Sequence, residues 1–141
     1  MQKEIKHTWQ FAQSPKEVWE YLTKPELIEQ WLMKTDFKPE AGYKFSFTFD
    51  PKPGSTYDGI VNCEVLEVTP FTTLCYSWNG SSNNGSRTFH SKVRWTLLPG
   101  AGGTELQLQH DGFEMVEDML AHSNGWNACV ARFETLINTE K

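Results

Sequence analysis

The feature that most narrows what this chain can fold into is a change of period. From residue 37 to 111 the signal is that of strands, and after Gly112-Phe113 the apolar residues recur at helical spacing. Tyr43, Phe45, Phe47 and Phe49 alternate with Lys44, Ser46 and Thr48, so one face of this strand is buried and the other is wet. Tyr57–Thr69 carries apolar residues on both parities, which predicts a bulge or bend near Gly59. Leu74, Tyr76 and Trp78 alternate, as do Val93, Trp95 and Leu97, then Thr104, Leu106, Leu108 and His110. Asn79–Ser86 is all polar, Gly and Asn, and reads as a loop. The last segment, roughly 116–138, carries Trp126, Cys129, Val130, Phe133, Leu136 and Ile137, an apolar stripe that opens at Gly125-Trp126.

The first residues obey the same logic. Ile5, His7, Trp9 and Phe11 share one side of a strand. Ser14-Pro15-Lys16-Glu17 then reads as a helix start, with Ser14 as N-cap, Pro15 at the first helical position and Glu17 closing a capping box. Pro25 restarts the helix, and Leu27, Ile28, Trp31 and Leu32 form its apolar stripe. The expected order is β-α-α-β-β-β-β-β-β-α, a single α+β domain over residues 1–141. A meander with its helices on one face can satisfy the last stripe only if that helix lies across the concave side of a curved antiparallel sheet.

Charge and length remove several classes of function. A net charge of −5 without a Lys/Arg cluster repels phosphate backbones, so no nucleic-acid partner is expected. No apolar run approaches the length of a membrane span, and the first residues lack the apolar centre of a secretory signal. Cys63, Cys75 and Cys129 are odd in number and widely spaced, which fits free thiols in a reducing compartment and a cytoplasmic location.

The order of these fragments is similar to a known family. Pro15-Lys16-Glu17-Val18-Trp19, Leu22-Thr23, Pro25, Leu27 and Trp31 resemble the opening of the START-like (SRPBCC) helix-grip superfamily, in the branch named for the activator of the heat-shock protein 90 ATPase. Gly42-Tyr43-Lys44-Phe45, Gly59-Ile60-Val61, Tyr76-Ser77-Trp78, Gly103-Thr104-Glu105-Leu106, His110-Asp111-Gly112-Phe113 and His122 with Gly125-Trp126 continue the match over the whole chain. Ala41 stands where the branch commonly carries a glycine. The resemblance implies a sheet gripping the C-terminal helix, with a cavity between them. Members bind lipids, sterols, hormones and polyketides, and some are cyclases or hydrolases. No universal catalytic motif comes with the family, and no cofactor is implied.

Candidate site residues follow from parity. Phe45, Phe47, Trp78 and Trp95 on strands and Trp126, Val130 and Phe133 on the last helix all point inward, and rings around a curved sheet make an apolar pocket. His110 shares that face and is the polar candidate: either a structural histidine bonded to a backbone carbonyl, or a group that orients a ligand or acts as a base. Adjacent His110 and Asp111 point to opposite faces, and with His122 they make no metal set. No nucleophile elbow is present, so no catalytic residue is assigned. The expected function is binding of a small hydrophobic or aromatic molecule between sheet and last helix. The alternatives are docking on a chaperone, as the branch name suggests, and an enzyme of the cyclase or hydrolase type that uses His110.

Overall fold

The computed structural model describes residues 4–49, 57–82 and 88–139. Seven antiparallel strands form one curled sheet in the order β1-β7-β6-β5-β4-β3-β2. They are β1 (Ile5–Phe11), β2 (Lys34–Thr35), β3 (Lys44–Thr48), β4 (Tyr57–Thr69), β5 (Thr73–Ser82), β6 (Thr88–Gly100) and β7 (Gly103–Asp111). Helices α1 (Pro15–Thr23) and α2 (Pro25–Trp31) follow β1, and α3 (Val116–Thr139) closes the chain. The fold is therefore the α+β helix grip that the period change predicts. Among the described residues no helix is long and apolar enough to cross a membrane.

Local chemistry explains the element boundaries. The Ser14 side chain accepts from the Glu17 amide, and the Glu17 carboxylate accepts from the Ser14 amide, so the capping box is complete and Pro15 opens α1. Pro25 ends α1 and starts α2, since a proline cannot continue the hydrogen-bond ladder but suits a first turn. β4 shifts register against β5 between Tyr57 and Val61, where Gly59 takes φ +87°, and again between Val65 and Glu67. These irregularities bend the longest strands over the helix.

Two readings of the sequence change. The β signal begins earlier than residue 37, because the two residues of β2 pair with Phe47 and Thr48. Asn79–Ser82 is strand rather than loop: Asn79, Gly80 and Ser81 pair with His90, Phe89 and Thr88. Backbone ladders on both sides hold this polar segment where side-chain packing does not. The rest of the expected loop, residues 83–86, lies outside the described residues. The last helix keeps its expected span, with Gly125-Trp126 more than two turns after its start at Val116.

The core lies between the concave sheet face and the helices. Trp126, Val130, Phe133 and Ile137 are the buried stripe of α3, and α2 packs alongside it. Trp31 donates its indole N–H to the Tyr21 carbonyl at 2.9 Å, tying α2 to α1.

At the other end of the sheet, Gly103 has φ +140°, and a Cβ there would run into the Phe11 carbonyl and the Ala12 backbone. Strand β1 can lie against β7 at this point because residue 103 has no side chain. Gly103→Ala is expected to cost at least about 2 kcal/mol through combined strain and clash. Urea denaturation of the full chain measures it, and a loss under about 0.5 kcal/mol, the ordinary surface range, would refute this role.

Candidate functional site

The polar centre of the inner face is a chain of three hydrogen bonds. Ser91 on β6 donates its hydroxyl to the Trp78 carbonyl on β5 at 2.7 Å. Its Oγ lies 2.8 Å from His110 Nε2 and, with its proton already given away, accepts from that nitrogen. His110 Nδ1 accepts from the Trp126 indole N–H at 3.0 Å. The directions assign a neutral imidazole protonated on Nε2. His110 is 0% exposed, and burial, helped by neighbouring His122, pushes its pKa well below the ordinary value. The ring is structural, but it bonds two side chains rather than the backbone carbonyl that sequence reasoning considered. Ser91 was missed, although it stands two residues before Val93 and so shares the inward parity.

The aromatic candidates are packed rather than spread around an empty centre. Phe45 meets Phe47 edge-on at 5.3 Å between ring centroids, and Phe47 lies 5.2 Å from Trp78. Trp78 lies 5.1 Å from Trp126, and Trp126 meets Trp95 edge-on at 5.4 Å. Phe133 is wedged between Phe11 and Trp31 at 4.8 and 4.9 Å. Trp95 donates its N–H to the Tyr76 hydroxyl at 3.0 Å. Phe45, Phe47, Trp95, His110, Val130 and Phe133 are thus all buried core. Trp78 and Trp126 have a second role.

Those two rings form the inner wall of a pocket of about 150 Å³ beside the filled centre. Its helix side is Ala121, His122, Gly125, Trp126 and Cys129, and its sheet side includes Val61, Trp78 and Gly80. Leu32 and Met33, just past α2, close one end. Phe49 and Ile60, 39% and 46% exposed, form an apolar rim. Ala121, Gly125 and Cys129 follow one another every four residues, a stripe of small side chains that holds the helix surface back from the sheet. That stripe was legible in the sequence but lay beneath the stronger signal of the large residues.

Burial also shifts His122 and the three thiols. His122 Nδ1 lies 2.8 Å from the Asp118 carbonyl, and burial lowers the pKa of its ring, partly opposed by that bond and by Asp118. Burial raises the thiol pKa of Cys63, Cys75 and Cys129, so each is held as the weakly nucleophilic thiol. Among the described residues no three His, Cys, Asp or Glu side chains converge as a metal site would require.

Comparison with known proteins agrees with this architecture. The family model described as activator of Hsp90 ATPase homolog 1-like protein matches residues 12–138. A crystal structure of a protein from Mesorhizobium loti is 34% identical, with 98% of each chain covered and a TM-score of 0.87. An AHSA1 protein from Silicibacter pomeroyi shares 18% identity and a TM-score of 0.83, over 98% of this chain and 99% of that one. DynU16, from the dynemicin biosynthetic locus, shares 22% identity and a TM-score of 0.82. This chain aligns over its full length with 49% of DynU16. No curated protein matches in sequence.

Two predictions follow from the His110 chain of bonds. Ser91→Ala leaves the buried Nε2–H without an acceptor and is expected to cost about 1–3 kcal/mol, read by urea denaturation. The second concerns pH. The folded pKa of His110 lies below the ordinary 6.5, so on acidification the unfolded chain binds the proton first. The stability from the neutral ring is complete above that value and falls below it, by up to about 1.4 kcal/mol per pH unit. Denaturation from about pH 7.5 to about 5.5 should show this loss, and His110→Gln, less stable at the start, should show a shallower one. Equal slopes would mean that other groups control the acid response.

Proposed function

The chain belongs to the family of activator of Hsp90 ATPase homolog 1-like proteins, and on that premise we propose that it is a binding module for a small apolar molecule. The ligand sits in the pocket between α3 and strands β4 and β5, at the side of the aromatic core. The observation that carries this reading is Gly125. A glycine inside a helix costs roughly 0.5–1 kcal/mol relative to alanine. Here nothing lies within 4 Å of the place a Cβ would occupy, so no packing contact demands the glycine. The residue lines the pocket instead, between Ala121 and Cys129. Helix stability is given up at the place where space is kept open.

Volume sets the size of the guest. A dry apolar cavity of about 150 Å³ takes a molecule the size of benzene, so the pocket suits one ring or a short chain. A larger molecule would extend past the rim of Phe49 and Ile60. Burying about 150–250 Å² of ring surface at about 25 cal/mol per Å² gives about 4–6 kcal/mol. That corresponds to dissociation constants from about millimolar down to tens of micromolar. The eight residues taken from parity are then two groups: Trp78 and Trp126 touch the guest, while Phe45, Phe47, Trp95, His110, Val130 and Phe133 hold the wall that it rests on. Free thiols at Cys63, Cys75 and Cys129 suit a reducing, cytoplasmic setting.

The family description and the dynemicin locus of DynU16 point in different directions, to a chaperone and to small-molecule biosynthesis. The pocket favours the small molecule. A catalytic role for His110 is opposed by its geometry, since both ring nitrogens are engaged and the residue has no exposed surface.

Two substitutions at one position test the reading. Gly125→Ala is expected to stabilise the chain by roughly 0.5–1 kcal/mol. Gly125→Leu should fill the opening, keep the fold and abolish binding of one-ring apolar compounds, measured by tryptophan fluorescence and thermal shift. At a tenfold excess over the dissociation constant such a compound should raise the wild-type melting temperature by about 3–6 °C. Binding that survives Gly125→Leu undiminished would refute the site.

A further inference from the structure

The solvent face of α3 differs from those of α1 and α2. Opposite the buried stripe of Trp126, Val130, Phe133 and Ile137, the residues Glu117, Ala121, Asn124, Ala128, Ala131 and Thr135 are exposed. Their spacing alternates between four and three, which keeps them in one line along a helix. On α1 and α2 the exposed positions carry charge at Lys16, Glu17, Lys24, Glu26 and Glu29. On α3 no exposed residue between Glu117 and Arg132 is charged, since Asp118 is buried. Those two residues lie about 22 Å apart along the axis. Leu120, on the flank of the same stretch, is 53% exposed, more than any other large apolar side chain among the described residues. A water-facing helix surface ordinarily carries charged side chains, and this one is neutral and flat over four turns.

The charges at the two ends of this face say what covers it. Glu117 and Arg132 lie equally far from the midpoint between Asn124 and Gly125, on opposite sides, and so do Ala121 and Ala128. A two-fold axis over that midpoint, across the helix direction, lays α3 of a second copy antiparallel on the first. Each Glu117 then comes over an Arg132, and each Ala121 over an Ala128. We infer that this face is the contact between two copies of the chain, an antiparallel pair of α3 helices closed at both ends by a Glu117–Arg132 ion pair. Arg132 Nη2 bonds the Trp31 carbonyl and the Cys129 sulfur, which holds the guanidinium in place. A guanidinium has five N–H groups, so others are left for a carboxylate. Alanines at the centre let the two backbones come close. A net charge of −5 makes copies repel one another, and that repulsion is least at a neutral face with opposite charges at its ends. A foreign partner has no reason to match both ends, whereas a second copy does so by symmetry. The contact runs along one helix and buries less than the roughly 1,200 Å² at which standard interfaces begin, so dissociation in the micromolar range is expected.

Sedimentation equilibrium of the full chain tests this. Between about 1 and about 500 µM it should report a monomer–dimer equilibrium. Ala128 does not line the pocket, so Ala128→Glu leaves the ligand site alone while it sets two carboxylates into the neutral centre of the contact. It should weaken the dimer at least about tenfold, and Glu117→Arg, which turns each ion pair into a like-charge pair, should do the same. Adding Arg132→Glu to Glu117→Arg restores opposite charges in the reverse order, and the double variant should return to within about threefold of the wild type. If the double variant does not fold, for want of the Arg132 bond to Trp31, the two single substitutions decide the matter. A chain that stays monomeric to about 500 µM would overturn the inference. So would a dimer indifferent to Ala128→Glu or Glu117→Arg, or a folded double variant no tighter than Glu117→Arg alone.

Discussion

The rest of the structure depends on the hydrogen-bond chain that runs from Trp126 through His110 and Ser91 to the Trp78 carbonyl. It joins α3 to β7, β6 and β5, four elements that come together only in the finished fold. Trp126 only donates and the Trp78 carbonyl only accepts, while His110 and Ser91 each give and receive once, so the imidazole has one protonation state and one tautomer in the folded chain. Apolar packing would let the long helix slide or roll over a concave surface of rings, because hydrophobic burial has no direction. Three bonds of 2.7 to 3.0 Å do have direction, and they set where Trp126 lies. A satisfied buried network of this kind rigidifies the core around it.

Fixing Trp126 decides where empty space can remain. Its ring meets Trp95 edge-on and lies beside Trp78, so the middle of the inner face is closed by aromatic contacts. The helix face that carries Ala121, Gly125 and Cys129 is turned toward β4 and β5, where small residues cannot reach the sheet. The space is then walled by Leu32 and Met33 past α2 and by the backbone side of Gly80 on β5. A large ring at position 126 and an absent side chain at 125 do complementary work: one bears the polar lock and the other leaves the room.

Much of this architecture was legible in the residues, and the limits of that reading are physical. Strand parity placed Phe45, Phe47, Trp78, Trp95 and His110 on the inner face, and the helical period placed Trp126, Val130 and Phe133 opposite them. Parity reports a face, however, and not a depth or a partner. It cannot tell a ring that fills the centre, such as Trp95, from one that also borders a pocket, such as Trp78. Ser91 has the inward parity but escaped notice, because its short polar side chain carries little hydrophobic signal although it holds His110. The strand at Asn79–Ser82 escaped for a related reason, since its order comes from backbone ladders to β4 and β6 that composition does not encode. Lys34–Thr35 is two residues long, too short for any period to show.

Two local anomalies fall on residues that line the same pocket, and together they weigh more than either alone. Gly125 lowers helix stability where no neighbour requires it, and Trp78 keeps a buried donor unmet where its three counterparts are satisfied. An aromatic core optimised for stability alone would place alanine or leucine at 125 and an acceptor near Trp78, closing the pocket and pairing the N–H. Sites at which local rules fail together while the surrounding packing obeys them are where function is usually bought with stability. The same wall explains how that cost is tolerated. Trp78 is held by its carbonyl in the Ser91–His110–Trp126 chain and by the rings of Phe47 and Trp126. The unmet N–H therefore belongs to a side chain that cannot turn away to relieve it. The His110 lock and the pocket are in this sense one device, in which the bond that fixes Trp126 also fixes one wall of a small apolar space.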